Sequence, residues 1–362
     1  MKIINVSSTF IQSKIDHGKI HGQGSAKNYC FLLVETDRGN FFSEVYSGTY
    51  SWRLVEACVS LINEKVCLDH EYSSIEDLRA SLHTPFISGN GFYESCVSAV
   101  VNAVHSYFPK HQLKKSSNVL YYYSGGTVKS TLSDLAFEAD VAEQNGYSFY
   151  KVRLDYRDID DCKSKIRLLN DINLPYCVDF IVNTNFNTDA SKFILPLTSM
   201  MDTSKVIWVE EPFVPSTLYE QQSFVEKLRF QGHKIALGES FTSLFELQAL
   251  SRSGFSDFVQ LDSTITSDVS SLILFAEATE RKVAFHNWGS MATSLQNMIV
   301  AAKIDKTSYF EVPYYLTPFD RWLSSIKTLC STDVDYTVNE REEIFKGINS
   351  NGTQTKSDFL WS

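Results

Sequence analysis

The sequence has no Cys-x-x-Cys pair, no run of 18 apolar residues, no low-complexity tract and no excess of basic charge. Its seven cysteines, at 30, 58, 67, 96, 162, 177 and 330, are odd in number and scattered. That argues against a disulfide framework and suits a reducing compartment. Cys30 and Cys177 sit inside apolar runs, as core residues do. Without a long apolar run there is no candidate membrane helix, and MKIINVSSTF has no basic region leading into an apolar stretch, so the expected location is cytoplasmic. Lysine and arginine total 33 against 43 acidic residues, a formal net charge of -10. Nucleic acid is therefore disfavoured as a partner, because it requires a basic face to displace counterions, whereas a bound cation is accommodated.

What is present is material for a large core. Hydrophobic residues make up 43% and charged residues 21% of 362 positions, the profile of a folded chain rather than a disordered one. A length of this order divides naturally into a barrel of roughly 200 to 250 residues and a smaller domain. Residues 1 to about 50 read as antiparallel strands around the polar loop SKIDHGKIHGQGSAKN, with a turn at Asp37-Arg38-Gly39-Asn40. Helical periodicity follows: Leu54, Cys58 and Leu61 share one stripe, and Val97, Val100, Val101 and Val104 share another. Strands first and helices after describe an α+β domain over 1–117. From Asn118 strand-like and helix-like segments alternate, eight strands with seven helices between them, giving an α/β domain over 118–330 and a polar segment, 331–362, expected to pack on the first domain.

Within that second domain, polar residues close one strand-like run after another: Lys151 and Arg153, Asn183 and Asn185, Glu210, Glu239, Asp262, His286 and Glu311. They recur every 23 to 30 positions, the length of a strand plus a helix. In a closed parallel barrel the strand C-terminal ends gather at one face, so these residues converge on one pocket. Glu210 and Glu239 end neighbouring strands, an oxygen set that a hard divalent cation prefers.

The order Lys-x-Arg, Asn-x-Asn, WVEEP, LGES, QLD, FHN, FEVP resembles the enolase superfamily, and within it the mandelate racemase subgroup, over essentially the whole chain. The resemblance implies a modified TIM barrel, (β/α)7β, under an N-terminal α+β capping domain. It also implies a Mg²⁺ site of three carboxylates on the third to fifth barrel strands, matched by Glu210 and Glu239 with Asn183 at the third position. An Asp-His pair on the sixth and seventh strands marks the subgroup and falls on Asp262 and His286. Lys151 matches the first Lys of the family's Lys-x-Lys, and Glu311 the acid of the eighth strand. The shared step is removal of the proton α to a carboxylate, with His286 as general acid/base and Asp262 holding its tautomer. The partner is then a small carboxylic acid, and relatives suggest a homo-oligomer.

Two positions depart from the family pattern. Arg153 stands where relatives carry the second Lys, and a guanidinium is a poor base and a good carboxylate clamp. One-base chemistry follows, which favours dehydration of a sugar acid or related hydroxy acid over a racemase or epimerase. Asn183 puts an amide where a charged ligand is expected, which predicts weak metal binding and keeps open a non-catalytic homologue. Asp179 shares the strand parity, but four residues place it about 13 Å down the strand, which sets it apart from the metal. Glu211 reads as a charge behind the ligand Glu210 or in the loop that follows it. His17, Lys19 and His21 of the cap loop, together with Asn185, are the expected substrate contacts, and Tyr121 to Tyr123 read as packing residues.

Overall fold

The computed structural model describes residues 1–14, 26–46, 52–66, 69–85, 91–105, 118–181, 190–213 and 221–313. Three strands, β1 (Ile3–Lys14), β2 (Ala26–Thr36) and β3 (Gly39–Val45), form an antiparallel sheet with β2 in the centre. Helices α1 (Trp52–Lys65), α2 (Ile75–Leu82) and α3 (Gly91–Val104) cover it. The apolar stripe of α1 that meets the sheet is Val55, Val59 and Ile62, all buried. The stripe expected from sequence is rotated: Leu54 and Leu61 are exposed and Cys58 is half-buried. Both registers satisfy the same i, i+4, i+7 spacing, and the β-branched one is the face that packs.

α3 is buried on every side from Tyr93 to Val104, because it lies between the sheet and the second domain. Ser95 Oγ donates to the Ile265 carbonyl at 2.5 Å. Asn102 accepts from the Val269 main-chain N–H at 2.9 Å and donates to the Ser263 carbonyl at 3.3 Å. Arg79 of α2 joins Glu94 to Asp268 across the same boundary. Helix and sheet thus dock as a cap on the turn that follows residue 261.

The second domain is a closed parallel barrel of eight strands: β4 (Val119–Ser124), β5 (Tyr150–Arg153), β6 (Tyr176–Asp179), β7 (Val206–Glu210), β8 (Ile235–Leu237), β9 (Phe258–Leu261), β10 (Lys282–Phe285) and β11 (Ser308–Pro313). Among the described residues seven helices connect them: α4 (Leu132–Gln144), α5 (Ile159–Asp171), α6 (Ser191–Thr198), α7 (Gln222–Phe230), α8 (Leu244–Ser253), α9 (Val269–Ala278) and α10 (Met291–Lys303). This is the (β/α)7β architecture with its N-terminal α+β cap. The segment after residue 313, expected to return to the cap, lies outside the described residues.

Alternation along the strands decides what the barrel holds. Val152, Val178, Val209, Val259 and Val283 face the helices within the large outer core. Tyr122, Phe149, Cys177, Trp208, Ala236, Phe258, Ala284 and Tyr309 fill the interior, large rings beside small residues. Tyr122 stacks on Phe149 with centroids 4.7 Å apart, and Trp208 meets Phe149 edge-on at 5.0 Å. A strand's side-chain period is two, so the residue two places beyond each interior group also points inward, one layer nearer the mouth. Those positions are Ser124, Lys151, Asp179, Glu210, Gly238, Gln260, His286 and Glu311. The packed aromatic layer is therefore the floor of the polar site.

Candidate active site

Lys151 is buried at the end of β5, and its ammonium bonds to Glu210 and lies 3.3 Å from Glu311 and 3.9 Å from Asp179. Burial alone would drive a lysine toward neutrality, but Glu210 and Glu311 overcome it and hold the pKa above the ordinary value. Glu210 is gripped from its other oxygen by Trp208, whose indole N–H donates at 2.9 Å. Burial is the largest influence on Glu210 and pushes its pKa up, but the charge and hydrogen bond of Lys151, with a hydrogen bond from Glu239, together outweigh it and hold the carboxylate below its usual range. For Glu311 burial is likewise overcome, by Lys151, His286 and Arg153, and its pKa falls.

Asp179 is corrected by the structure. β6 ends at Asp179, in register with Glu210 on β7 and Arg153 on β5, so its carboxylate is at the mouth and not a strand-length below it. The next residues, Phe180 and Ile181, extend the apolar run in sequence but leave the ladder, with Ile181 at φ 47°. The 13 Å offset assumed a strand continuing to residue 183, whereas β6 ends at Asp179. One ligand oxygen each from Asp179, Glu210 and Glu239 lie within 4.8 Å of one another. Asp179 thus supplies a third carboxylate beside Glu210 and Glu239. Asn183 and Asn185 lie outside the described residues, as do His17, Lys19 and His21 of the cap loop.

Three carboxylates in this space are crowded. Burial, then the charge of Glu210, raises the pKa of Glu239 and of Asp179. Glu239 Oε2 is buried and accepts no hydrogen bond from the described residues. An unpaired carboxylate oxygen beside two others is the donor set a hard divalent cation satisfies, so the residues present fit Mg²⁺. Glu211, the next residue after Glu210, lies just past the end of β7 but is no solvated charge. It is buried at φ 36°, accepts from Ser240 Oγ at 2.7 Å and from the Gly238 N–H at 3.2 Å, and burial pushes its pKa up to about 7. Gly238 is required where it stands: at φ 133°, an added Cβ would lie 2.6 Å from the Gln260 carbonyl oxygen.

Across from the lysine, His286 Nδ1 is 2.8 Å from Asp262 Oδ2, and Nε2 points toward Glu239 Oε2 at 3.8 Å. Asp262 Oδ1 is occupied by Thr264, whose N–H and hydroxyl approach at 2.8 and 2.6 Å. Burial opposes a charged imidazole, but the Asp262 hydrogen bond and Glu311 outweigh it and raise the His286 pKa. The Tyr46 ring, from the cap, meets the imidazole edge-on at 6.2 Å. Arg153 directs Nη1 to the Gly125 carbonyl at 2.9 Å and Nη2 to Ser124 Oγ at 3.0 Å and Glu311 at 3.4 Å. Its guanidinium also lies over the Trp288 ring, 5.0 Å from the centroid, and the cap's Lys27 is 5.3 Å from the same ring.

The family model described as Enolase C-terminal domain-like matches residues 134–339, more than half of the chain. The chain belongs to this enolase-like family. A search of curated proteins finds no significant sequence match. Among solved structures, a racemase from Streptomyces coelicolor A3(2) with bound magnesium is similar at TM-score 0.70 and 18% identity, covering 86% of this chain and 89% of the other. L-talarate/galactarate dehydratase from Salmonella typhimurium LT2 gives TM-score 0.69 at 18% identity over 86% and 82% of the two chains. Human mitochondrial enolase superfamily member 1 gives 0.72 at 16% over 87% and 88%. At such identities the likeness is one of fold, and this enolase-like chain shares it with racemases and a dehydratase alike.

Sequence reading missed Asp179, Trp208, Trp288, Tyr46 and two buried amides, Asn287 and Asn297. Trp208 had a signal, since it stands two residues before Glu210 on the same face. Tyr46 and Trp288 had none, because their roles arise from contacts across the domain boundary.

Proposed function

We propose that this enolase-like protein is a Mg²⁺-dependent enzyme that removes the proton α to a carboxylate, most specifically a hydro-lyase that dehydrates a sugar acid or related hydroxy acid. The observation that carries the reading is the imidazole of His286, bonded to Asp262 on one nitrogen and open toward the carboxylate cluster on the other. Asp179, Glu210 and Glu239 would hold Mg²⁺, which when bound supplies positive charge for the oxyanion that forms on deprotonation. Lys151, kept cationic by Glu210 and Glu311, adds a second fixed charge at the same face. Asp262 fixes the tautomer with the proton on Nδ1, so Nε2 is the atom that receives the α-proton. The same Nε2–H then protonates a departing β-hydroxyl.

The opposite side of the pocket offers no second base among the described residues. Arg153 stays protonated, its donors directed at Gly125, Ser124 and Glu311. Lys151 is held in its charged form. Racemisation, which needs a base on each face, is therefore the weaker reading. With Asp179 at the cluster, the case for a non-catalytic homologue with a weakened metal site loses its main support.

Incubating the protein with a panel of sugar acids and Mg²⁺ in deuterated water tests the proposal by mass spectrometry. Products lighter by one water support the lyase. Recovered substrate carrying α-deuterium with no loss of water would instead assign an epimerase or racemase.

A further inference from the structure

We infer that Asn297 is a positioning residue for the Asp262–His286 pair, an inference that rests on reading that pair as the proton-transfer centre. Asn297 lies in α10, fully buried. Its Oδ1 accepts from the main-chain N–H of Ser263, the residue after Asp262, at 2.9 Å. Its Nδ2 donates to the His286 carbonyl at 3.1 Å and to Asn287 Oδ1 at 2.7 Å. One side chain therefore grips the main chain beside each member of the pair, just past the ends of two neighbouring strands.

The position matters because the ladder stops there. β9 and β10 pair through Leu261 and Phe285, and the last rung is the His286 N–H to the Leu261 carbonyl at 3.0 Å. Thr264 orients the Asp262 carboxylate within its own turn but says nothing about its distance from β10. Asn297 closes that gap. Asn287 extends the brace to β11, its N–H donating to Glu311 Oε2 and its amide to the Glu311 carbonyl, each at 2.8 Å. The helix that carries Asn297 is itself seated by the cap, since Glu44 accepts from the Ser290 N–H at 2.8 Å and from Thr293 Oγ1 at 2.5 Å.

Only an amide meets this demand. The site needs one acceptor for an N–H and donors for two oxygens, which is the inventory of Asn. Aspartate would set an oxygen against the oxygens of His286 and Asn287, and leucine would leave buried groups on both strands unpaired.

The downfield Nδ1 proton of His286 in the full-length protein, labelled with ¹⁵N-histidine and assigned by its loss in His286→Gln, reports the pair without any substrate. The matched control is Asn170→Leu: Asn170, on α5, accepts from Tyr176 Oη and the Asp202 N–H at 2.7 and 2.9 Å and donates to the Met200 carbonyl at 2.8 Å. In Asn297→Leu the signal is expected to vanish through exchange with solvent, while Asn170→Leu keeps it at a comparable loss of melting temperature. If Asn297→Leu does not fold, Asn297→Asp is read for the same loss. No such signal in the wild type, an unchanged signal in a folded Asn297 variant, or equal loss in both the Asn297 and Asn170 variants overturns the inference. On any acid that is turned over, kcat should fall roughly 100-fold with little change in KM, the scale of a misplaced reacting group. Failure of every acid to react would count against the functional reading and leave the proton signal as the judge of Asn297.

Discussion

Lys151 stands between Glu210 and Glu311 with its ammonium buried, and each of the three depends on the others for compensation. Lys151→Met would leave two buried carboxylates facing each other, a loss of about 3–5 kcal/mol in urea-unfolding free energy. Asp179 makes a different prediction. In Mg²⁺ titrations by calorimetry, Asp179→Asn should weaken binding by roughly 10-fold or more, as removal of a group that holds or supports the metal does. Asn183→Asp should bind as the wild type does; a gain in affinity there together with no loss in Asp179→Asn would return the third ligand to Asn183. The residue scale is also where the sequence misled. Phe180 and Ile181 prolong an apolar pattern beyond the end of the strand at Asp179, and a strand end is set by hydrogen-bonding neighbours rather than by composition.

At the scale of elements, β3 and α10 meet through Glu44 and through Ser43, whose Oγ accepts from Gln296 Nε2 at 2.8 Å. Glu44 caps the N-terminus of α10 from another domain, and burial outweighs its hydrogen bonds to Ser290 and Thr293, pushing its pKa up to about 7 from an ordinary 4.5. A carboxyl whose folded pKa is raised holds its proton more tightly when folded. Its contribution is full below pH 4.5 and is lost as pH rises to about 7. Relative to Glu44→Gln, whose side chain cannot ionise, the wild type should lose on the order of 3 kcal/mol of unfolding free energy across that window. Parallel denaturant titrations of the two proteins at several pH values check this, and parallel pH profiles would remove Glu44 as the cause. The elements themselves were legible to different degrees. The barrel strands announced themselves through a polar residue closing each apolar run. The buried face of α1 did not, because Leu54-Cys58-Leu61 and Val55-Val59-Ile62 satisfy the same spacing and only the sheet chooses between them.

Across the whole molecule, the cap and the barrel share one boundary that reaches the chemistry. Tyr46 touches His286, Lys27 and Arg153 flank Trp288, and α3 lies against the turn after Asp262. The architecture could be read from period and order, because a repeat of 23 to 30 residues leaves few other folds. The convergence of cap residues could not, since nothing local links position 46 to position 286. A cation held by Asp179, Glu210 and Glu239 binds only the folded barrel, so Mg²⁺ at 100 times its Kd should stabilise the protein by about 2.7 kcal/mol. Chelation should reverse that gain in a calorimetric melt, and Asp179→Asn should show less of it.

We propose that His286 alone moves the proton. The direct test follows α-hydrogen exchange and water loss on a reactive acid in deuterated water, with wild type, His286→Asn and Lys151→Gln compared at saturating Mg²⁺. His286→Asn is expected to abolish both exchange and dehydration, and any exchange surviving in a folded Lys151→Gln to keep the stereochemical face used by the wild type. Exchange that persists in His286→Asn, or that occurs on both faces of the α-carbon in the wild type, would contradict the proposal.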